Sequence, residues 1–311
     1  MINSFNNITS PSNINSFRVS LTNLCNYDCF FCHNEGLPKK KTDLPDDIFL
    51  KGISVLSELS EELGINRFSI TGGEPMLSKI IFDVLDTIKT KNKNANISLS
   101  SNAFLLNEET ILELSKYIYK VNINFQSIDD NNFQIITGRD GLKKIKENIL
   151  LFQKYGIEVG VNMVFTTKNE EELEEMVNFI IEKGLSLKIL ELVRDKENLP
   201  YYSDIANAKE IIRSKFGTIL GYENISGSED KIYLENNANV RLISSYCNIF
   251  NGEACKQHGE LRISNTLTLN HCLVSKFKAM NILEEIKNNQ KNKIRGKLKK
   301  IENAIGLCPK C

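Results

Sequence analysis

Short β-branched runs alternate along this chain with longer stretches whose apolar residues return every third or fourth position. Residues 17–22 read as a strand and 46–63 as an amphipathic helix. The pair repeats at 67–71 with 79–90, 97–101 with 108–117, 121–125 with 142–155, 158–165 with 169–183, and 187–193 with 204–216. These are six strand–helix units, told apart by apolar period and run length. Gly141, Gly156 and Gly184 fall at element boundaries, the last two where a helix would end. Such alternation predicts an α/β fold: a parallel sheet with helices outside it. Six units are too few to close an eight-fold barrel, so the expectation is an open, partial (β/α)6 barrel with ligands at the C-terminal strand ends.

Beyond residues 222–230 the pattern changes. Residues 231–235 and 240–244 flank an Asn-rich turn and read as a hairpin, and 261–264 with 267–270 read as a second. A Lys-rich helical stretch, 282–305, leads into Cys308-Pro-Lys-Cys311. The expected organisation is a polar extension over 1–16, the barrel over 17–225 and a small C-terminal module over 226–311. No internal repeat beyond the strand–helix period is visible.

Composition narrows the partners. Thirty-nine basic residues balance thirty-nine acidic ones, so no basic field argues for nucleic acid or an anionic membrane. No apolar run approaches the ~20 residues that span a bilayer. Residues 1–16 are Asn/Ser-rich, with neither the charged start nor the apolar stretch of a secretory signal. The expected location is cytoplasmic, where eight cysteines point to metal or redox chemistry rather than disulfides.

Three of those cysteines, Cys25, Cys29 and Cys32, form a C-x3-C-x2-C run just after the first strand. Three thiolates this close can hold three irons of a 4Fe–4S cube and leave the fourth open, whereas four thiolates would make a closed electron-transfer centre. Zinc prefers paired C-x2-C units with His and suits the triplet poorly. The second strand ends in Ile70-Thr-Gly-Gly-Glu-Pro75, where Gly72 and Gly73 permit close backbone approach and Glu74-Pro75 opens the next helix. Together the two motifs resemble the radical S-adenosylmethionine (SAM) superfamily. The resemblance implies that the open iron chelates the methionine amino and carboxylate groups of SAM. It also implies that Gly72, Gly73 and Glu74 contact the amino group and that Phe31 lies near the adenine.

The remaining cysteines are Cys247, Cys255, Cys272, Cys308 and Cys311. Cys255, Cys272 and the terminal Cys308–Cys311 pair resemble the auxiliary-cluster module called a twitch domain, which implies a second 4Fe–4S cluster held by all four. A four-cysteine zinc site is the alternative, and thiolate softness does not separate the two. A second registration, Cys255-x2-His258-x13-Cys272, resembles the C-terminal cluster region of the GTP 3′,8-cyclase family of molybdenum-cofactor biosynthesis. There His258 stands where that family has a cysteine, and imidazole can ligate cluster iron.

The barrel is similar to the cyclase family over nearly its whole length. Leu21-Thr22, Cys25-Asn26, Thr71–Pro75, Ser101-Asn102-Ala103, Asn122–Phe125, Ile136–Asp140 and Val161–Val164 have counterparts in order. Carry-over places Ser101 and Asn124 near the SAM ribose and carboxylate. The departures concern charge. The family's cations before the second-strand turn, on the fifth strand and after the cluster cysteine fall at Ser69, Gly160 and Glu260, leaving Arg18 and Arg262 as substrate contacts. A triphosphate needs several cations, so the expectation is a relative of the cyclase, not the cyclase, with a less negative substrate.

The resemblance implies an enzyme that cleaves SAM to a 5′-deoxyadenosyl radical and abstracts hydrogen from a sugar, nucleoside or similar small molecule. The auxiliary cluster would support oxidation or bond formation, and a flavodoxin or ferredoxin would deliver electrons. No nucleic acid or membrane partner is expected. Three other readings remain open: a peptide maturase, an epimerase with Cys247 as hydrogen-atom donor, and a non-catalytic zinc or iron–sulfur protein. The maturases commonly carry a leader-binding domain, where here only residues 1–16 precede the first strand.

Overall fold

The computed structural model describes residues 14–37, 42–194, 196–216, 219–224, 229–244, 259–272 and 278–305. Six parallel strands run side by side in chain order: β1 (Ser16–Ser20), β2 (Arg67–Thr71), β3 (Asn96–Ser101), β4 (Ile118–Asn124), β5 (Glu158–Phe165) and β6 (Ser186–Glu191). Between and after them come α1 (Asp46–Glu62), α2 (Ile81–Lys91), α3 (Glu108–Leu114), α4 (Asp130–Thr137), α5 (Leu142–Lys154), α6 (Leu173–Lys183) and α7 (Ile205–Lys215). Sequential order with right-handed crossovers places these helices on one face of the sheet.

Alternation along each strand divides the two faces. Phe17 and Val19 of β1, Val121 and Ile123 of β4, and Leu187 and Ile189 of β6 are buried. They join Ile53, Leu56 and Leu59 of α1, Ile145, Ile149 and Phe152 of α5, and Met176, Val177 and Ile180 of α6 in one core. The helical members recur at three- and four-residue spacing, the stripe that a core-facing helix requires. Burying each such side chain is worth about 1.5–3 kcal/mol. The opposite face carries Arg18, Ser69, Asn122, Asn162 and Lys188, and so forms a polar chamber.

Both expected hairpins form, and each extends the barrel sheet. β8 (Glu229–Tyr233) and β9 (Asn239–Ile243) are antiparallel, and β9 lies parallel to β6 with Lys188 opposite Arg241. A short strand the sequence reading lacked, β7 (Gly221–Asn224), pairs with β8. At the other edge β10 (Glu260–Ile263) lies parallel to β1 with Arg18 opposite Arg262, followed by β11 (Thr268–Asn270) and β12 (Met280–Asn281). The Lys-rich stretch is two helices, α8 (Leu283–Lys287) and α9 (Lys291–Ala304), broken where Asn289 adopts φ 55°. A further helix, α4, is short but well capped: Asp129 accepts from the Asn132 N–H at 2.8 Å, and Gly138 ends it at φ 72°.

The ends of β1 and β2 are joined backbone to backbone. Leu21 N–H donates to the Thr71 carbonyl (2.9 Å), Gly73 N–H to Thr22 (2.8 Å) and Glu74 N–H to Leu24 (2.7 Å). A Cβ on Gly73 would lie 2.1 Å from the Leu24 carbonyl oxygen, and one on Gly72 2.4 Å from that of Thr22. The close approach that the Gly-Gly pair provides is therefore to the loop carrying the cysteines. Gly73→Ala should destabilise the protein by about 2–3 kcal/mol through overpacking. Gly296→Ala in α9, where nothing lies within 4 Å, should stabilise it by about 0.5–1 kcal/mol. Urea denaturation of the two variants checks both signs.

Candidate functional site

The loop between β1 and α1 carries Cys25, Cys29 and Cys32 at the C-terminal end of the strands. It is pinned from one side by the Gly72–Gly73 turn and from the other by α4, whose Thr137 and Ile136 carbonyls accept from the N–H groups of Asp28 (2.9 Å) and Phe30 (3.4 Å). Cys25 and Cys32 are exposed and Cys29 is buried, all three as free thiols. Each sulfur faces an N–H donor. The Tyr27 N–H reaches Cys25 Sγ at 3.4 Å, the Asn34 N–H reaches Cys32 Sγ at 3.3 Å, and the Asn124 amide reaches Cys29 Sγ at 3.9 Å. The Asn102 amide stands 4.0 Å from Cys25 Sγ and donates to Asn26 Oδ1 at 2.7 Å.

Burial, then the neighbouring sulfurs Cys32 and Cys25, push the Cys29 thiol up to about 12. Burial also raises Cys25. Three ionised sulfurs need positive charge among them, and bound metal supplies it, deprotonating its thiols outright. Among the described residues no three Cys, His, Asp or Glu side chains form a set for a single metal ion.

Glu74 sits behind the loop, fully buried. Its carboxylate accepts from the Asn102 N–H (2.7 Å), the Ser101 hydroxyl (2.8 Å) and the Met76 N–H (3.1 Å). Burial outweighs these bonds and raises its pKa to about 7. Ser101 also accepts from the Ala103 N–H at 2.9 Å, so its hydroxyl is engaged within the protein. Asn124, placed by resemblance near SAM, faces Cys29 across 3.9 Å. Phe31 is half-buried, edge-on to Phe30 (5.5 Å between ring centres), and Phe30 packs on Tyr201 at 4.4 Å.

Below the loop, Arg18 and Arg262 converge on Glu35. Arg18 Nη2 is 2.6 Å from Glu35 Oε1 and its Nε also donates to the carboxylate, while Arg262 Nη1 pairs with Glu35 Oε2. Thr71 donates to Glu35 at 3.4 Å, and Arg262 reaches Glu260 at 3.2 Å. Burial alone would raise the Glu35 carboxyl, but Arg18 and Arg262 hold it down to about 2. Sequence reading found both arginines and missed the acid between them. Cys272, half-buried, follows β11; Cys247, Cys255, His258, Cys308 and Cys311 lie outside the described residues.

The pattern of the radical SAM superfamily matches residues 19–180, more than half the chain. The chain belongs to the radical SAM superfamily. Its curated relatives include a probable GTP 3′,8-cyclase of Sulfurisphaera tokodaii, 29% identical over 278 residues, spanning 87% of this chain and 85% of that protein. A GTP 3′,8-cyclase of Clostridium botulinum is 29% identical over 283 residues, covering 89% and 86%. Among solved structures, Streptococcus suis SuiB bound to S-adenosylmethionine superposes with a TM-score of 0.65 at 18% identity. That match covers 87% of this chain but 63% of SuiB. The structure of anSMEcpe with bound AdoMet gives 0.61 at 16% identity, covering 90% and 82%. At these identities the structural likeness shows the fold.

Membership of the radical SAM superfamily implies an enzyme with a 4Fe–4S cluster and SAM, and the donor set fits that cluster: three thiols, each facing an N–H. Among the described residues no helix is long and apolar enough to cross a membrane. The Glu35 bridge has a pH signature. Because its folded pKa lies below the ordinary 4.5, its contribution is complete above that value and fades as pH falls toward 2. Glu35→Gln, which strands two arginines, should cost about 3–5 kcal/mol near neutrality. In urea titrations of the metal-free protein, the gap to wild type should narrow below pH 4.5.

Proposed function

We propose that this radical SAM enzyme cleaves SAM reductively at a cluster held by Cys25, Cys29 and Cys32 and abstracts hydrogen from a small-molecule substrate, a sugar, nucleoside or similar compound. The observation that carries the reading is the convergence of those three thiols, with Asn102 and Asn124, above a polar chamber. Bound there, the cluster and SAM would supply the 5′-deoxyadenosyl radical and take a single electron from a flavodoxin or ferredoxin. The residues of this chain hold and orient. N–H groups directed at thiolate sulfurs tune such a centre, and the Gly72–Gly73 turn fixes the loop bearing them. Glu74, raised to about 7, holds the Ser101–Asn102 strand end against that turn.

The chamber argues against a triphosphate. Arg18 and Arg262 are already balanced by Glu35 together with Glu260, and Ser69 and Gly160 replace further cations. We therefore place this chain beside the GTP 3′,8-cyclases as a relative with a less negatively charged substrate. A second 4Fe–4S cluster on Cys255, Cys272, Cys308 and Cys311 belongs to the same proposal. It would support net oxidation or bond formation, and a hydrogen atom returned by Cys247 would give epimerisation instead.

Anaerobic reconstitution tests the reading. The wild type should bind about eight irons, two cubes by ligand count, and form 5′-deoxyadenosine with SAM and dithionite. Changing Cys25, Cys29 and Cys32 together to Ala should abolish that product and leave about four irons. SAM cleavage surviving in the triple variant would overturn the first-cluster assignment. Zinc in place of the remaining irons would overturn the second.

A further inference from the structure

Two hydrogen-bond donors on the cysteine loop are left unspent. The Asn26 side-chain nitrogen and the Tyr27 hydroxyl are both buried, and neither has a hydrogen-bond partner among the described residues. Both residues directly follow Cys25 in the chain. A buried donor without an acceptor is rare in native proteins, because its lost hydration goes uncompensated. Two such donors on adjacent residues, within a loop that bears three thiols, call for an acceptor.

The orientation of Asn26 follows from a backbone group. The Phe104 N–H donates to Asn102 Oδ1 at 3.0 Å, so the other end of that amide is the nitrogen. Asn102 Nδ2 in turn donates to Asn26 Oδ1 at 2.7 Å. Turning Asn26 over would set two NH2 groups against each other, so its free end is the donor. Tyr27 is 7% exposed, its ring packed against Phe104 (6.0 Å between ring centres) and Phe133 (6.1 Å). Cys29, Glu74 and Cys25 lie within electrostatic reach of its hydroxyl. Glu74 already accepts from Asn102, Ser101 and Met76. That leaves the sulfur side for the hydroxyl.

We propose that Asn26 and Tyr27 donate these hydrogens to sulfur atoms of the cluster on Cys25, Cys29 and Cys32 and thereby favour its reduced form. The inference rests on the first-cluster reading above and adds to it how the chain sets the ease of reduction. A cube on three thiolates is anionic, and the electron from the external carrier makes it more so. Each donor therefore bonds the reduced form more strongly than the oxidised one, since a hydrogen bond strengthens with the charge on its acceptor. Hydrogen bonds to the sulfurs are among the features that set the potential of such a centre. The amide and the phenol keep their protons, so the electron arrives without one.

Tyr27→Phe tests this, because it keeps the ring against Phe104 and Phe133 and removes the hydroxyl alone. Redox titration of the reconstituted protein follows the reduced electron paramagnetic resonance signal that is lost when Cys25, Cys29 and Cys32 are changed together to alanine. At a fixed poise Tyr27→Phe should lower the ratio of reduced to oxidised cluster about tenfold, which is about 59 mV for one electron. Asn26→Ala should shift it in the same direction. In deuterated buffer the wild-type signal should show a coupling to an exchanged deuteron that Tyr27→Phe lacks. Metal-free Tyr27→Phe should be at least as stable to urea as the wild type, because an unpaired buried hydroxyl has gone. A structural role alone would reverse the pattern, with stability lost and the potential unmoved, and that result would overturn the proposal. So would potentials equal to wild type in both variants. Found in protein that still forms 5′-deoxyadenosine, either result is a failure of this inference and not of the radical reading.

Discussion

Everything at the candidate site hangs on the contact between two backbones. The Leu24 carbonyl occupies the position that a side chain on residue 73 would need. The three hydrogen bonds from Leu21, Gly73 and Glu74 continue the β1–β2 pairing into the cysteine loop. A loop of this length, free at one end, would lose considerable entropy on presenting three thiols together. Here that ordering is shared among the Gly-Gly turn, the C-terminal carbonyls of α4 and the amides of Asn102 and Asn124. The buried Glu74 ties the same turn to β3, so four consecutive strand ends act on one loop.

The chamber below follows a different rule, set by charge. Cations gathered on the inner face of a sheet, Arg18, Lys120, Lys188, Arg241 and Arg262 among them, would repel one another strongly in a medium of lowered dielectric. The chain answers with acids on neighbouring strands or loops, Glu35 above all, which serves two arginines. Glu35 stands at φ 53° in a left-handed turn with Asn34 and Gly36, which backbone hydrogen bonds from Gly36 to His33 and from Leu37 to Asn34 close. Lys188 has no ion pair among the described residues, and burial, then Arg241, Lys120 and Arg18, lower its pKa to about 8. The charge available to a ligand is thus smaller than the count of basic residues suggests.

The barrel was legible because burial repeats at two periods, and those periods are written in order along residues 17–216. Both hairpins were legible for the same reason. Their positions at opposite edges of the sheet were not, since pairing β9 with β6 and β10 with β1 is a non-local choice that no window of sequence contains. α4 escaped notice because eight residues give a weak periodic signal, although its Asp129 cap and Gly138 stop were present to be read. Glu35 escaped because its partners lie 17 and 227 positions away. At the end of β3, Ser101 hydrogen-bonds Glu74 and the Asn102 amide hydrogen-bonds Asn26 beside Cys25, partners that lie 27 and 76 positions away and that no local motif contains.

The central claim is that Cys25, Cys29 and Cys32 hold a cube whose open iron meets SAM. Electron–nuclear double resonance on the dithionite-reduced protein, with SAM carrying an isotopically labelled amino nitrogen, reads that contact directly. The account predicts a reduced 4Fe–4S signal with hyperfine coupling to the labelled nitrogen, absent when the three cysteines are changed to alanine. A reduced cluster without such coupling, or zinc bound at the triplet, would contradict it.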